Sequence, residues 1–134
     1  MDSKDVIERF YGEIWNAHNA ASASDICSDD LTFKGSLEVE CVGIASFLTY
    51  VDSVHDSLAS YHCGIQELVT DSDRGFARLH FSGQHTGEFL GFSPTNQILS
   101  WSGAALFHLA NGKIYSVWVL GDLYGLYRQL SGNA

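Results

Sequence analysis

A chain of 134 residues and 14.7 kDa has the length of one domain, residues 1–134, with no room for a second independent core. Hydrophobic residues make up 46 % and charged residues 17 %, which argues against disorder. No apolar run approaches the about 18 residues that cross a membrane, and Met1 to Asp5 opens no apolar signal segment, so the expectation is a soluble cytoplasmic protein. Sixteen Asp and Glu against seven Lys and Arg give a net charge of −9 with the cations scattered. That balance argues against nucleic acid and anionic membranes as partners and favours a neutral small molecule.

In chain order, Val6, Ile7, Phe10, Tyr11 and Ile14 recur at helical spacing, which predicts an amphipathic helix from Asp2 to Trp15 capped by Asp2 or Ser3. Ala20 to Cys27 reads as a short second helix, Leu31 to Phe33 and Glu38 to Val42 as brief strands. Gly43 opens a third helix with Ile44, Phe47, Leu48, Val51, Val54 and Leu58 on one face. Four runs rich in aromatic and β-branched residues follow: 62–70, 76–89, 97–109 and 113–120. Asn111-Gly112 between the last two is a strong hairpin signal. Helices first and strands afterwards predict an α+β domain, with N-terminal helices packed on a strongly curved antiparallel sheet. Cys27, Cys41 and Cys63, odd in number and widely spaced, read as buried thiols.

A two-residue turn at Asn111-Gly112 sets Ala110 against Lys113. Simple alternation then pairs Phe107 with Ser116, Ala105 with Trp118, Gly103 with Leu120 and Trp101 with Asp122. This register puts Trp101, Gly103, Ala105, Phe107, Trp118 and Asp122 on one face. Two small residues beside two tryptophans and a carboxylate leave space for a ligand or for a closely packed helix. The same register puts Tyr115, Val117 and Val119 on the outer face, where an exposed apolar patch implies self-association.

The order Gly83-Gln84-His85-Thr86-Gly87-Glu88-Phe89, Gly91-Phe92-Ser93-Pro94-Thr95, Trp101-Ser102-Gly103, Asn111-Gly112-Lys113-Ile114 and Asp122…Gly125-Leu126…Gln129-Leu130 resembles the SnoaL-like polyketide cyclase family, also called ester cyclases. The likeness is dense over residues 74–130, and Phe10-Tyr11…Trp15-Asn16 is similar to the family's opening helix. The resemblance implies the NTF2-like cone, a pocket between sheet and helices, homodimeric or homotetrameric assembly, and no cofactor. It also implies closure of the last ring of an aromatic polyketide by an intramolecular aldol reaction. The family's acid/base aspartate is matched by Asp122, and the histidine of its Gly-Thr-His-x-Gly motif by His85. Gln84 stands where threonine is usual, Asn96 where glycine is usual, and Phe33-Lys34-Gly35 where many relatives carry a histidine.

The catalytic candidates are therefore Asp122 and His85, and the ligand-binding candidates are Trp101, Trp118, Trp15 and Phe107. A carboxylate desolvated by tryptophans can serve as acid and base in an aldol step; the alternative is that Asp122 caps a helix starting near Leu123. His85 can orient Asp122 or polarise a carbonyl, or act as a structural residue. Arg78 reads as the partner of a cross-strand glutamate. No histidine pair has metal-ligand spacing with a carboxylate, so no metal is expected. Three functions stand at this point: a cofactor-independent cyclase acting on a bulky apolar carbonyl compound, a non-catalytic carrier of a small hydrophobic molecule, and an interaction protein using the sheet's outer face. A ketosteroid-isomerase-like or epoxide-hydrolase-like reaction is a related alternative.

Overall fold

The computed structural model describes residues 2–37 and 39–132. Asp2 caps helix α1 (Ser3–Arg9), its carboxylate accepting from the Asp5 N–H at 2.9 Å. The helix then widens into a π-helical stretch, Phe10–Asn16, so that Phe10, Tyr11, Ile14 and Trp15 all point into the core. A single 3₁₀ turn (Ala20–Ser22) and helix α2 (Ala23–Ile26) lead into strand β1 (Cys27–Lys34). Strand β2 (Glu40–Val42) and helix α3 (Ile44–Ser57) follow. Glu38, with which the second brief strand was expected to begin, lies outside the described residues.

The long strands are β3 (Leu58–Thr70), β4 (Arg74–His85), β5 (Ile98–Ala110) and β6 (Lys113–Gly121), and helix α4 (Leu123–Ser131) closes the order. Six strands form one open, curved sheet in the order β2-β1-β6-β5-β4-β3. The α+β expectation holds with one correction. The sheet is mixed, because β1 runs parallel to β6 while every other pair is antiparallel. Joining β1 to β6 takes a connection through most of the chain, and local pattern carries no trace of it.

One face of the sheet is dry. Along β4, Gly75, Ala77, Leu79, Phe81, Gly83 and His85 are buried while the alternating residues are not. Onto this face the helices lay Phe10, Phe47 and Trp15. Phe10 stacks on Phe47 at 5.5 Å and meets Phe107 edge-on at 5.5 Å. Cys27, Cys41 and Cys63 are buried free thiols, and burial pushes Cys27 up to about 12. Arg78 reaches Glu67 on β3 at 3.5 Å across the exposed face.

The hairpin turns at Asn111 and Gly112, both at positive φ (54° and 76°) as a type I′ turn requires, and Ala110 faces Lys113 as expected. Two residues on, the register departs from simple alternation. Leu109 pairs with Ile114 but His108 with Ser116, so Tyr115 is an extra residue in β6. This bulge exchanges the faces of everything beyond it. Phe107 pairs with Val117, Ala105 with Val119 and Gly103 with Gly121. Val117 and Val119 therefore point inward, whereas Trp118 stands on the outer face with 41 % of its surface exposed.

Candidate functional site

Between the helices and the concave face lies a cavity of about 40 Å³, room for roughly two or three water molecules. Helical residues Tyr11, Trp15, Tyr50 and Val54 form its roof. Phe33, Tyr61, Phe81, Trp101 and Val119 come from the strands, and Gly35, Ser36, Leu37 and Phe89 from connecting segments. Aromatic side chains fill most of the cone. Trp101 stacks on Phe81 at 5.2 Å and leans on Phe89 at 6.2 Å, while Trp15 packs on Tyr61 at 5.5 Å.

Polar atoms in this wall are few and alike. Tyr11, Tyr50 and Tyr61 bring three hydroxyls, Trp101 an indole N–H and Ser36 a hydroxyl, and no Asp, Glu, His, Lys or Arg is among the lining residues described. Burial raises all three tyrosines above the ordinary phenol value, Tyr11 and Tyr61 well above it. They are thus protonated donors at neutral pH rather than bases.

The expected site residues fall in different places. Trp15 and Trp101 line the cavity. Phe107 is fully buried in the packed core beneath Phe10 and Tyr11, away from the cavity wall. Trp118 is carried to the outer face by the bulge, which corrects its expected place beside Trp101.

Asp122 follows β6 and is exposed. Its Oδ1 accepts from the Gly125 N–H at 2.9 Å as the N-cap of α4, and its own N–H donates to the Ser102 carbonyl at 2.9 Å. It does not pair with Trp101 or take a histidine partner among the described residues. The expected enclosure against the tryptophans is corrected by the register: the inward position of β6 nearest to it is Gly121.

His85 is completely buried on the inner face at the end of β4. Its Nδ1 accepts from the Thr95 backbone N–H at 3.3 Å and lies 2.9 Å from Thr95 Oγ1. That acceptor role puts the proton on Nε2, which has no hydrogen-bond partner among the described residues. Phe89, edge-on to the imidazole at 6.4 Å, stands in the cavity wall, and His85 itself does not.

Behind Trp15 and Tyr61 lies a second histidine arrangement. His55 Nε2 donates to the Trp15 carbonyl at 2.7 Å, and its ring stacks on His18 at 4.0 Å with 4° between planes. His18 Nε2 in turn lies 2.7 Å from Asp52 Oδ1. Burial, with a contribution from His18, holds His55 below its ordinary value. Sequence reasoning missed Tyr61, Phe81, Phe89 and Ser36. Alternation along β3 and β4 was the available signal for the first two; the others sit in connecting segments without a period.

Among the described residues no group of three or more His, Cys, Asp or Glu side chains is arranged to hold a metal ion. None of the described helices is long and apolar enough to cross a membrane.

A family model described as SnoaL-like polyketide cyclase matches residues 5–130. Over 54 residues the chain is 41 % identical to aklanonic acid methyl ester cyclase AcmA of Streptomyces galilaeus, a match covering 40 % of this chain and 38 % of that protein's length. The structure of TsrD from Streptomyces laurentii superposes with a TM-score of 0.86 at 23 % identity, over 100 % of this chain and 99 % of that one. A protein with a ketosteroid-isomerase-like fold from Catenulispora acidiphila, solved with trimethylamine, gives 0.81 at 12 % identity, over 98 % and 95 %. At such identities these two likenesses are of fold.

Proposed function

This chain belongs to the SnoaL-like polyketide cyclase family, and on that premise we propose that it promotes ring closure of a neutral, mainly apolar carbonyl compound held at the mouth of the aromatic cavity. The observation that carries this reading is the composition of the wall: aromatic, uncharged, and polar through hydroxyl and indole groups that can donate hydrogen bonds. In an intramolecular aldol step a base takes a proton from the carbon beside one carbonyl. The enolate carbon then bonds to a second carbonyl carbon, and the resulting alkoxide regains the proton. Donors that stay protonated suit the oxygens on which negative charge develops.

The base in this proposal is Asp122, whose exposed carboxylate follows Gly121, the residue that lies against Ser36 and Trp101 of the cavity wall. A cap bond from Gly125 orients it. His85 acts as a positioning residue in this proposal, fixing the Phe89–Thr95 segment through Thr95. Trp15 and Trp101 are the aromatic walls, and a compound larger than a few atoms enters by displacing Phe89 or Leu37. A relative whose name is that of a methyl ester cyclase supports ring closure as the reaction class. For assembly the proposal takes a second copy of the chain on the outer sheet face.

The test uses 2,6-heptanedione, a minimal tethered diketone, and follows its closure to 3-hydroxy-3-methylcyclohexanone by proton NMR. Asp122→Asn keeps the cap and is expected to lower turnover roughly 10²–10⁴-fold while ligand binding persists. Equal turnover in the variant rejects Asp122 as the base. Ligand binding without cyclisation by the unaltered protein favours the carrier reading, for which the small volume of the cavity is the specific support.

A further inference from the structure

We propose that Trp101 Nε1–H and Ser36 Oγ–H, side by side against Gly121, form a two-donor site for one acceptor oxygen of the bound compound. The inference rests on the reading that the cavity mouth binds a carbonyl compound and adds which atoms grip its oxygen. A Cβ built on Gly121 would stand 2.9 Å from Ser36 Oγ and 3.4 Å from Trp101 Nε1, so both donors close in on the same side of that glycine and lie next to each other. Tyr50 adds a third hydroxyl nearby, 3.3 Å from the position a Cβ would take on neighbouring Gly35.

Trp101 is buried, with 7 % of its surface exposed, and an indole nitrogen donates but cannot accept. Neither it nor Ser36 has a hydrogen-bond partner among the described residues. In the free protein the indole N–H is still reached by water, which an acceptor oxygen would replace. The indole cannot turn away to find one, because its ring is held by Phe81 and Phe89. The indole N–H is thereby held in place for a carbonyl or enolate oxygen.

A matched pair of probes tests it: cyclohexanone and methylenecyclohexane, alike in shape and differing in the oxygen. Nitrogen-15 NMR titration reads affinity together with the indole N–H resonances, that of Trp101 being assigned by its loss in Trp101→Phe. Cyclohexanone is expected to shift the Trp101 indole resonance downfield, and methylenecyclohexane to leave it nearly in place. Ser36→Ala, a half-exposed position that does not threaten the core, and Trp101→Phe should each weaken cyclohexanone about tenfold. Methylenecyclohexane should change by less than about twofold, since it makes no such bond. If both probes bind and neither substitution changes their affinity ratio, the two-donor site is wrong and the cavity reading stands. If neither probe binds the unaltered protein, the cavity reading falls and this inference falls with it.

Discussion

Replacing Gln129 tests how the sheet is finished at the point where the site begins. Strand β6 leaves the ladder at Gly121, opposite Gly103, and the last main-chain bond on that edge runs from Asp122 N–H to the Ser102 carbonyl. Further along β5, Ser100 has no strand beside it on that edge. The Gln129 amide from α4 takes the strand's place: its oxygen accepts from Ser100 N–H at 3.1 Å, and its nitrogen donates to the Ser100 carbonyl at 2.8 Å. Gln129→Ala removes both bonds, each worth about 0.5–1.5 kcal/mol net. Because Ser100 is exposed and water replaces part of the loss, we expect a destabilisation of about 1 kcal/mol. With m near 2 kcal/mol/M in urea, the midpoint should fall by roughly 0.5 M.

Gln129→Glu is the sharper variant. An ionised carboxylate still accepts from Ser100 N–H but faces the Ser100 carbonyl without a proton to offer, so at pH 7.5 it should be at least as damaging as alanine. Protonation restores a donor and raises the folded-state pKa of the new carboxyl above its unfolded value. Its stabilising contribution is then present at low pH and is lost as pH rises through that folded pKa. Hydrogen exchange at the Ser100 amide reads the bond directly. Wild-type stability of Gln129→Glu at pH 7.5, or unchanged Ser100 protection in Gln129→Ala, refutes the role given to this side chain.

Asp122→Ala should cost about 1 kcal/mol through loss of the α4 cap and Asp122→Asn almost nothing, by urea denaturation. His55 is held below its ordinary value of 6.5, so its contribution is complete above about pH 6.5 and is lost as pH falls, where the unfolded chain binds the extra proton. Thermal unfolding of wild type against His55→Gln should show the acid-side loss shrinking in the variant; an identical pH profile refutes this. On the outer face, Val69, Phe76, Leu106 and Trp118 face one another in a row across four strands, and 64 %, 45 % and 41 % of Val69, Phe76 and Trp118 are exposed. Sedimentation should find a dimer or larger at micromolar concentration and a monomer for Trp118→Glu; a wild-type monomer removes the claim.

Much of the fold is written locally. The spacing of Val6, Ile7 and Phe10, the Asn-Gly turn and the aromatic runs specify helices and strands through periods that a short window contains. The family motifs were legible too, and with them the NTF2-like architecture. What window-sized pattern lacks is the effect of one residue inserted far from the position it moves. Tyr115 has no feature that marks it as a bulge, yet it decides that Val119 and not Trp118 faces Trp101. Parallel pairing of β1 with β6 escaped for a related reason, since it joins segments more than eighty residues apart. Trp101 was legible as an inward aromatic; its N–H standing beside the Ser36 hydroxyl was not, because that pairing joins residues 65 apart in the chain.

Strand β6 sits between β1 and β5, so a late segment of the chain is the central plank of the sheet. Until residues 113–121 have been made, the β1–β2 pair and the β3–β4–β5 meander are two fragments with no shared hydrogen bonds between their strands. During synthesis the meander can assemble early from its local hairpins, while β1 must wait with one edge unpaired. Arrival of β6 joins the halves and, through Val119 and Gly121, completes the wall and mouth of the cavity in the same step. The proposed ligand site is thus complete only at the end of folding, and a stalled chain lacking β6 exposes strand edges.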